Sequence, residues 1–141
     1  MTVLSKFHYW IPAEFFQFQR LSGIEKQCKA MLSLAQSLYP HVFGMKQKHG
    51  VIYFVDEISP MWMIHTWLED GECVVETSAE VYDLTTKYDV TYMSEREESF
   101  TKILPRHELA PFKKFEQTNV FPSTVTKYKE MFNLMKKKRF I

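Results

Sequence analysis

Apolar and polar residues alternate from Val3 to Trp10, which predicts a strand with both faces partly covered, halted by Pro12. Glu14 to Leu21 carries Phe15, Phe16 and Phe18 and fits a short helix or an extended segment equally well. Ser22 followed by Glu25 has the spacing of a capping box, so a helix is expected to open there and to end before Pro40. Ile24, Cys28, Met31, Leu32, Ala35 and Leu38 form its apolar stripe.

The middle of the chain reads as sheet. His41 to Met45, a polar turn over Lys46 to Gly50, and Val51 to Val55 suggest two short antiparallel strands. Asp70-Gly71, between Met61 to Glu69 and Glu72 to Glu80, predicts a hairpin. If Glu69 faces Glu72, then Leu68 pairs with Cys73, Thr66 with Val75 and His65 with Glu76. The competing reading of Met61 to Glu69 is a helix opened by Ser59 and Pro60 and closed by Gly71. Another strand is expected over Tyr88 to Met93.

Helical patterns then return. Ser94 with Glu97 makes a second capping box before Phe100, Ile103 and Leu104, with Pro105 as the stop. A short helix from Pro111 to Gln117 follows, and Ser123 can open a last helix that buries Val125, Tyr128, Met131, Phe132 and Met135. These elements predict a single α+β domain over residues 1–141. Its antiparallel sheet of four to five strands is packed on one face by an N-terminal-half helix and the C-terminal helices.

Composition narrows the class. The 141 residues suffice for one core, and 12 Phe, 7 Tyr and 3 Trp supply the apolar area to form it. Neither a membrane span nor a secretory leader is legible, so the expected location is cytoplasmic. Four scattered glycines lack the grouping of phosphate-binding loops. Cys28 and Cys73 form no C-x-x-C pair and read as core thiols.

Charge is segregated behind a net +1. Residues 1–50 hold 6 Lys/Arg against 2 Asp/Glu, residues 51–100 hold 2 against 12, and residues 101–141 hold 10 against 3. Mutual neutralisation in the fold is one consequence. A docking surface is another: Glu69, Asp70, Glu72, Glu76, Glu80 and Asp83 could offer an acidic sheet face to a basic protein, as an inhibitor or immunity factor does. Alternatively, Lys127, Lys129, Lys136, Lys137, Lys138 and Arg139 could bind nucleic acid, although cations also suit a helix C-terminus.

Catalytic grammar is sparse. His8, His41, His49, His65 and His107 show no spacing that sets two imidazoles together, so neither a metal nor a cofactor is expected. A G-x-S-x-G elbow is absent, and Cys28 stands in no small-residue turn. A His65–Glu76 pair is the one pocket-forming arrangement the hairpin suggests, for a small-ligand binder or an enzyme. A non-catalytic interaction module is the leading expectation, with nucleic-acid binding and the His/carboxylate pocket as alternatives.

Overall fold

The computed structural model describes residues 6–7, 11–71 and 73–141. It has an α+β fold: four antiparallel strands extended by one short parallel strand, with helices packed around them. In chain order the elements are β1 (Lys6–Phe7), α1 (Ala13–Ser22), α2 (Cys28–Leu38), β2 (Lys46–Asp56), β3 (Ser59–Asp70) and β4 (Cys73–Val75). After these come α3 (Ala79–Thr85), β5 (Thr91–Ser94), α4 (Glu98–Ile103), α5 (Leu109–Gln117) and α6 (Pro122–Lys137). Single 3₁₀ turns occupy Pro40–Val42 and Arg106–Glu108. The sheet order is β1-β4-β3-β2-β5. Of the strand expected over Val3 to Trp10, Lys6–Phe7 is present and the remainder lies outside the described residues.

The Phe-rich segment after Pro12 is helical, and this moves the boundary expected at Ser22. Gly23 adopts φ +68° and receives the chain from α1, its N–H bonded to Arg20 O, so Ser22 ends a helix instead of opening one. The next helix starts at Cys28, and Tyr39 ends it in extended geometry ahead of Pro40.

One long hairpin replaces the two short strands expected from 41 to 55. Lys46–Asp56 pairs with Ser59–Asp70 in continuous register from Lys46↔Glu69 to Asp56↔Ser59. The connection is Glu57-Ile58, with Glu57 at φ 57°. Residues 46–50, taken as a turn for their polarity, are strand, and Met61 to Glu69 is strand rather than helix. The second hairpin turns where Asp70-Gly71 predicts, but its register is Asp70↔Cys73, Glu69↔Val74 and Leu68↔Val75. That is two residues from the expected pairing, so every side chain keeps its face.

The N-terminal-half and C-terminal helices pack on one sheet face, as expected, and α3 covers the other. Leu68 and Val75 pack into a core with Phe15, Phe18, Met31, Leu34 and Phe132 of α1, α2 and α6. On that same face Val51 and Met93 meet Phe100, Leu104 and Phe112 of the α4–α5 region. The opposite face carries Ile52, Trp67, Val74 and Tyr92, covered by Val81 and Leu84 of α3. The expected stripe on α6 packs inward as Phe132, flanked by Val125, Tyr128, Met131 and Met135. Gly50 is required by close approach: a Cβ there would lie 1.9 Å from Met93 O and 2.8 Å from the Trp67 ring. No helix among the described residues is long and apolar enough to cross a membrane.

Candidate functional site

The ladder between β3 and β4 spans only Leu68–Asp70 of β3, because β4 stops at Val75. Beyond it the chain turns away through 76–78, and the N-terminus of α2 comes up beside Met63, Ile64 and His65. The resulting cleft, about 140 Å³, is lined by Cys28, His65, Ser78 and Glu80, with Met63 and Val81 as apolar walls.

Glu76 is fully buried and accepts from three donors, one of them shared between its two oxygens. His65 Nε2 lies 2.9 Å from both carboxylate oxygens, Tyr92 OH donates to Oε1 at 2.7 Å, and Ser78 N–H donates to Oε2 at 2.9 Å. A buried carboxylate is tolerated when its lone pairs are filled in this way. His65, 2% exposed, lies nearly parallel to the Trp67 ring at 6.2 Å. Burial works against its protonation, but the Glu76 charge, the hydrogen bond His65 donates to Glu76 and the nearby Cys28 overcome this and raise its pKa to about 10. At neutral pH the His65 ring is therefore held protonated beside Glu76. Burial and the adjacent Glu76 also push the Tyr92 hydroxyl well above its usual range, so it stays a donor.

Cys28 completes the constellation. It is the first residue of α2, half-buried and reduced, and it lines the same cleft as His65. Glu76 occupies Nε2, which leaves Nδ1 without a part in that pairing. The backbone N–H of a first helical residue has no acceptor within its own helix, so the Cys28 amide is free of intrahelical demand.

Two polar clamps hold the segment 76–79, one against α1 and one against the turn before Cys28. Buried Gln19 of α1 donates from Nε2 to Thr77 O at 2.7 Å and accepts from Ala79 N–H at 2.8 Å. Ser78 Oγ donates to Glu25 O at 3.0 Å. The acid and the thiol thus come from elements fixed to each other, not from independently moving loops.

The residues singled out by sequence fall as follows. His65 and Glu76 are brought together as a diagonal pair, one step beyond the end of the β4 ladder. Glu76 therefore faces the imidazole and offers no charge to solvent. Glu69 is half-buried and accepts from Trp67 Nε1 at 2.9 Å, Asp70 is exposed at the hairpin end, and Glu80 borders the cleft. Asp83 is exposed and pairs with Arg20 at 2.7 Å. Glu72 lies outside the described residues, as does His8.

On α6, Lys127, Lys136, Lys137, Lys138 and Arg139 are exposed and Lys129 is half-buried. Lys136 lies 3.3 Å from Glu14, and Lys129 reaches Ser37 O at 3.5 Å. Among the described residues no group of three or more His, Cys, Asp or Glu is placed to hold a metal ion.

Cys28 is the residue that sequence reasoning passed over as a core thiol. With the helix boundary placed at Ser22, it fell inside an apolar stripe; at its true place it opens the helix. A second cleft of about 300 Å³ contains His49, whose pKa is lowered by burial and by Lys29. His49 Nδ1 there is buried without a hydrogen-bond partner, so no acid orients the ring from that nitrogen. Comparison with known proteins found no matching family model, no matching curated protein and no matching solved structure.

Proposed function

We propose that this chain is a cysteine-dependent acyl-transfer enzyme, with Cys28 as nucleophile, His65 as acid and base, and Glu76 as the group that orients and charges the imidazole. The supporting observation is the conjunction of a thiol at a helix start, an imidazole lining the same small cleft, and a buried carboxylate on the imidazole Nε2. A nucleophile, a base and an orienting acid in that order recur on unrelated folds and are recognised by roles, not by sequence position.

The chemistry follows from the placement. An imidazolium beside the sulfur supplies the counter-charge for a thiolate, the reactive form of cysteine. The thiolate attacks the carbonyl carbon of an ester, thioester or amide, forming a C–S bond and a tetrahedral oxyanion. The Cys28 amide N–H, at the positive end of α2, would donate to that oxygen. As the C–O, C–S or C–N bond to the leaving group breaks, His65 Nδ1 gives up its proton to that group. The neutral ring then takes a proton from water or another acceptor as it attacks the thioester, and the thiolate is released. Protons and electrons balance between enzyme, acyl donor and acceptor.

The test is acyl capture. On mixing with 4-nitrophenyl acetate, the expected result is a burst of nitrophenol and an acetyl group on Cys28, located by peptide mass spectrometry and removed by hydroxylamine. Cys28→Ala should abolish the burst, and His65→Asn should slow it by about 100-fold, the usual scale for losing a general acid–base. Acetylation confined to lysines of folded protein, with Cys28 unmodified, would refute the assignment.

A further inference from the structure

Beside the cleft the sheet is left open. β2 borders β3 along its whole length, but on the other side β4 meets it only at Leu68, Glu69 and Asp70. Successive residues of a strand aim their N–H and C=O at opposite edges. Ser59 closes a two-residue turn onto Asp56, so it and every second residue after it face β2. Asp70 closes a two-residue turn onto Cys73, so it and every second residue before it face the other way. The two hairpins agree, and both put Pro60, Trp62 and Ile64 on the open side. Among the described residues neither a strand nor a loop backbone group bonds to them there. Pro60 has no N–H to leave unpaired, and a proline inside a strand belongs on such an edge.

Natural folds blunt open edges with charged side chains, yet β3 carries none from Ser59 to Ile64. Pro60 and Met61 are exposed there, and Trp62, Met63 and Ile64 are half-buried. The edge runs into the cleft, where Met63, Ile64 and His65 stand across from Cys28. At about 140 Å³ that cleft lodges one side chain and falls below the size of pockets that enclose a whole small ligand. The rest of an acyl donor must therefore lie outside it, and the open edge leads there.

Resting on the acyl-transfer reading, we infer that the acyl donor is an extended polypeptide segment, which adds to β3 as an extra strand and delivers one backbone carbonyl to Cys28. The N–H groups of Trp62 and Ile64 donate to it, and the C=O groups of Pro60, Trp62 and Ile64 accept from it. Pro60 to Ile64 spans about 16 Å, room for about five extended residues. Met63, Ile64 and Val81 wall the cleft for an apolar side chain. The bond broken is a backbone amide: its carbonyl carbon passes to the Cys28 sulfur, and its nitrogen leaves as an amine with the His65 proton.

The probes are two leucyl chloromethyl ketones, acetyl-Leu and acetyl-Ala-Val-Ala-Leu, with the longer one also N-methylated at one amide at a time. In each, the Cys28 sulfur displaces chloride and forms a C–S bond, so labelling can be timed by mass spectrometry. The longer reagent should label Cys28 at least about tenfold faster, the scale of two net hydrogen bonds. Methylating alternate amides should remove that gain, while methylating the amides between them should leave it. Equal rates for the short and long reagents, or a gain indifferent to methylation at every position, would overturn strand addition and leave the nucleophile assignment intact. If neither reagent labels Cys28 in preference to Cys73, the acyl-transfer reading itself falls.

A second measurement reads the edge without the chemistry. In Cys28→Ala, the unreactive peptide acetyl-Ala-Val-Ala-Leu amide should slow hydrogen exchange at the Trp62 and Ile64 N–H groups, increasingly with peptide concentration. No protection, or protection that is present without peptide and grows with protein concentration, would overturn the assignment; the latter would give the edge to a second copy of the chain.

Discussion

Glu76→Gln removes one negative charge from the interior and changes almost nothing in shape, so its consequences can be worked out atom by atom. Glu76 is acceptor to four contacts: two from His65, one from Tyr92 and one from Ser78. A glutamine has one acceptor oxygen and one NH₂ donor. The Ser78 backbone N–H cannot reverse its role and would claim the oxygen; the Tyr92 hydroxyl can rotate to accept from the NH₂. The hydrogen-bond network therefore survives in part, but the imidazolium loses its counter-charge. Burial, which already opposes protonation of His65, then prevails, and the ring becomes neutral at pH 7.

The energetic sign follows. His65 has a folded pKa of about 10, above the ordinary 6.5, so its contribution is complete below about pH 6.5 and is lost as pH rises through about 10. At pH 7 the linkage amounts to on the order of 4 kcal/mol, falling to roughly 1 kcal/mol by pH 9.5. Glu76→Gln should therefore lower stability by about 2–4 kcal/mol at pH 7, and the gap to wild type should narrow markedly at pH 9.5. Urea denaturation at the two pH values measures the gap, and NMR titration of the His65 ring measures its cause. A wild-type ring titrating near 6.5, or a stability gap equal at both pH values, would refute the ion-pair reasoning.

Two further substitutions test the scaffold that presents the site. Gly50→Ala places a Cβ against Met93 O and the Trp67 ring, and should cost about 3 kcal/mol by thermal denaturation; a change under about 0.5 kcal/mol would show that the strands can separate freely. Gln19→Leu leaves Thr77 O and the Ala79 N–H without their buried partner, and should cost about 2 kcal/mol while slowing acetylation of Cys28 by loosening the segment that carries Glu76. Loss of stability with no change in acetylation rate would restrict Gln19 to a structural role.

Much of the sheet and the last helix was legible because period and turn chemistry agreed there. Asp70-Gly71 located one hairpin, and a register error of two residues preserved every face, which is why His65 and Glu76 were brought together on correct grounds of side and imprecise grounds of pairing. The other hairpin was hidden. Its turn, Glu57-Ile58, contains neither Gly nor Asn, and the polar residues Lys46 to His49 resemble a loop although they lie in a strand at the margin of the sheet.

At Ser22 two local signals competed. A capping-box spacing argued for a start, Gly23 argued for an end, and the left-handed conformation at Gly23 prevailed, displacing the next helix start to Cys28. That displacement concealed the nucleophile. Cys28, His65 and Glu76 are separated by 37 and 11 positions and share no local motif, so only tertiary structure assembles them. Within the acidic run Glu76 alone is withdrawn from solvent among the described residues of that set, and composition cannot distinguish a solvated carboxylate such as Asp70 from one buried against an imidazole.

The most direct measurement of the central claim is the iodoacetamide alkylation rate of each cysteine at pH 6.5, resolved by peptide mass spectrometry, in wild-type protein and in His65→Asn. An imidazolium beside its sulfur predicts that Cys28 reacts at least about tenfold faster than Cys73, and that His65→Asn removes the difference while Cys73 is unaffected. Equal reactivity of the two thiols in the wild type, or a Cys28 rate indifferent to His65, would contradict the account.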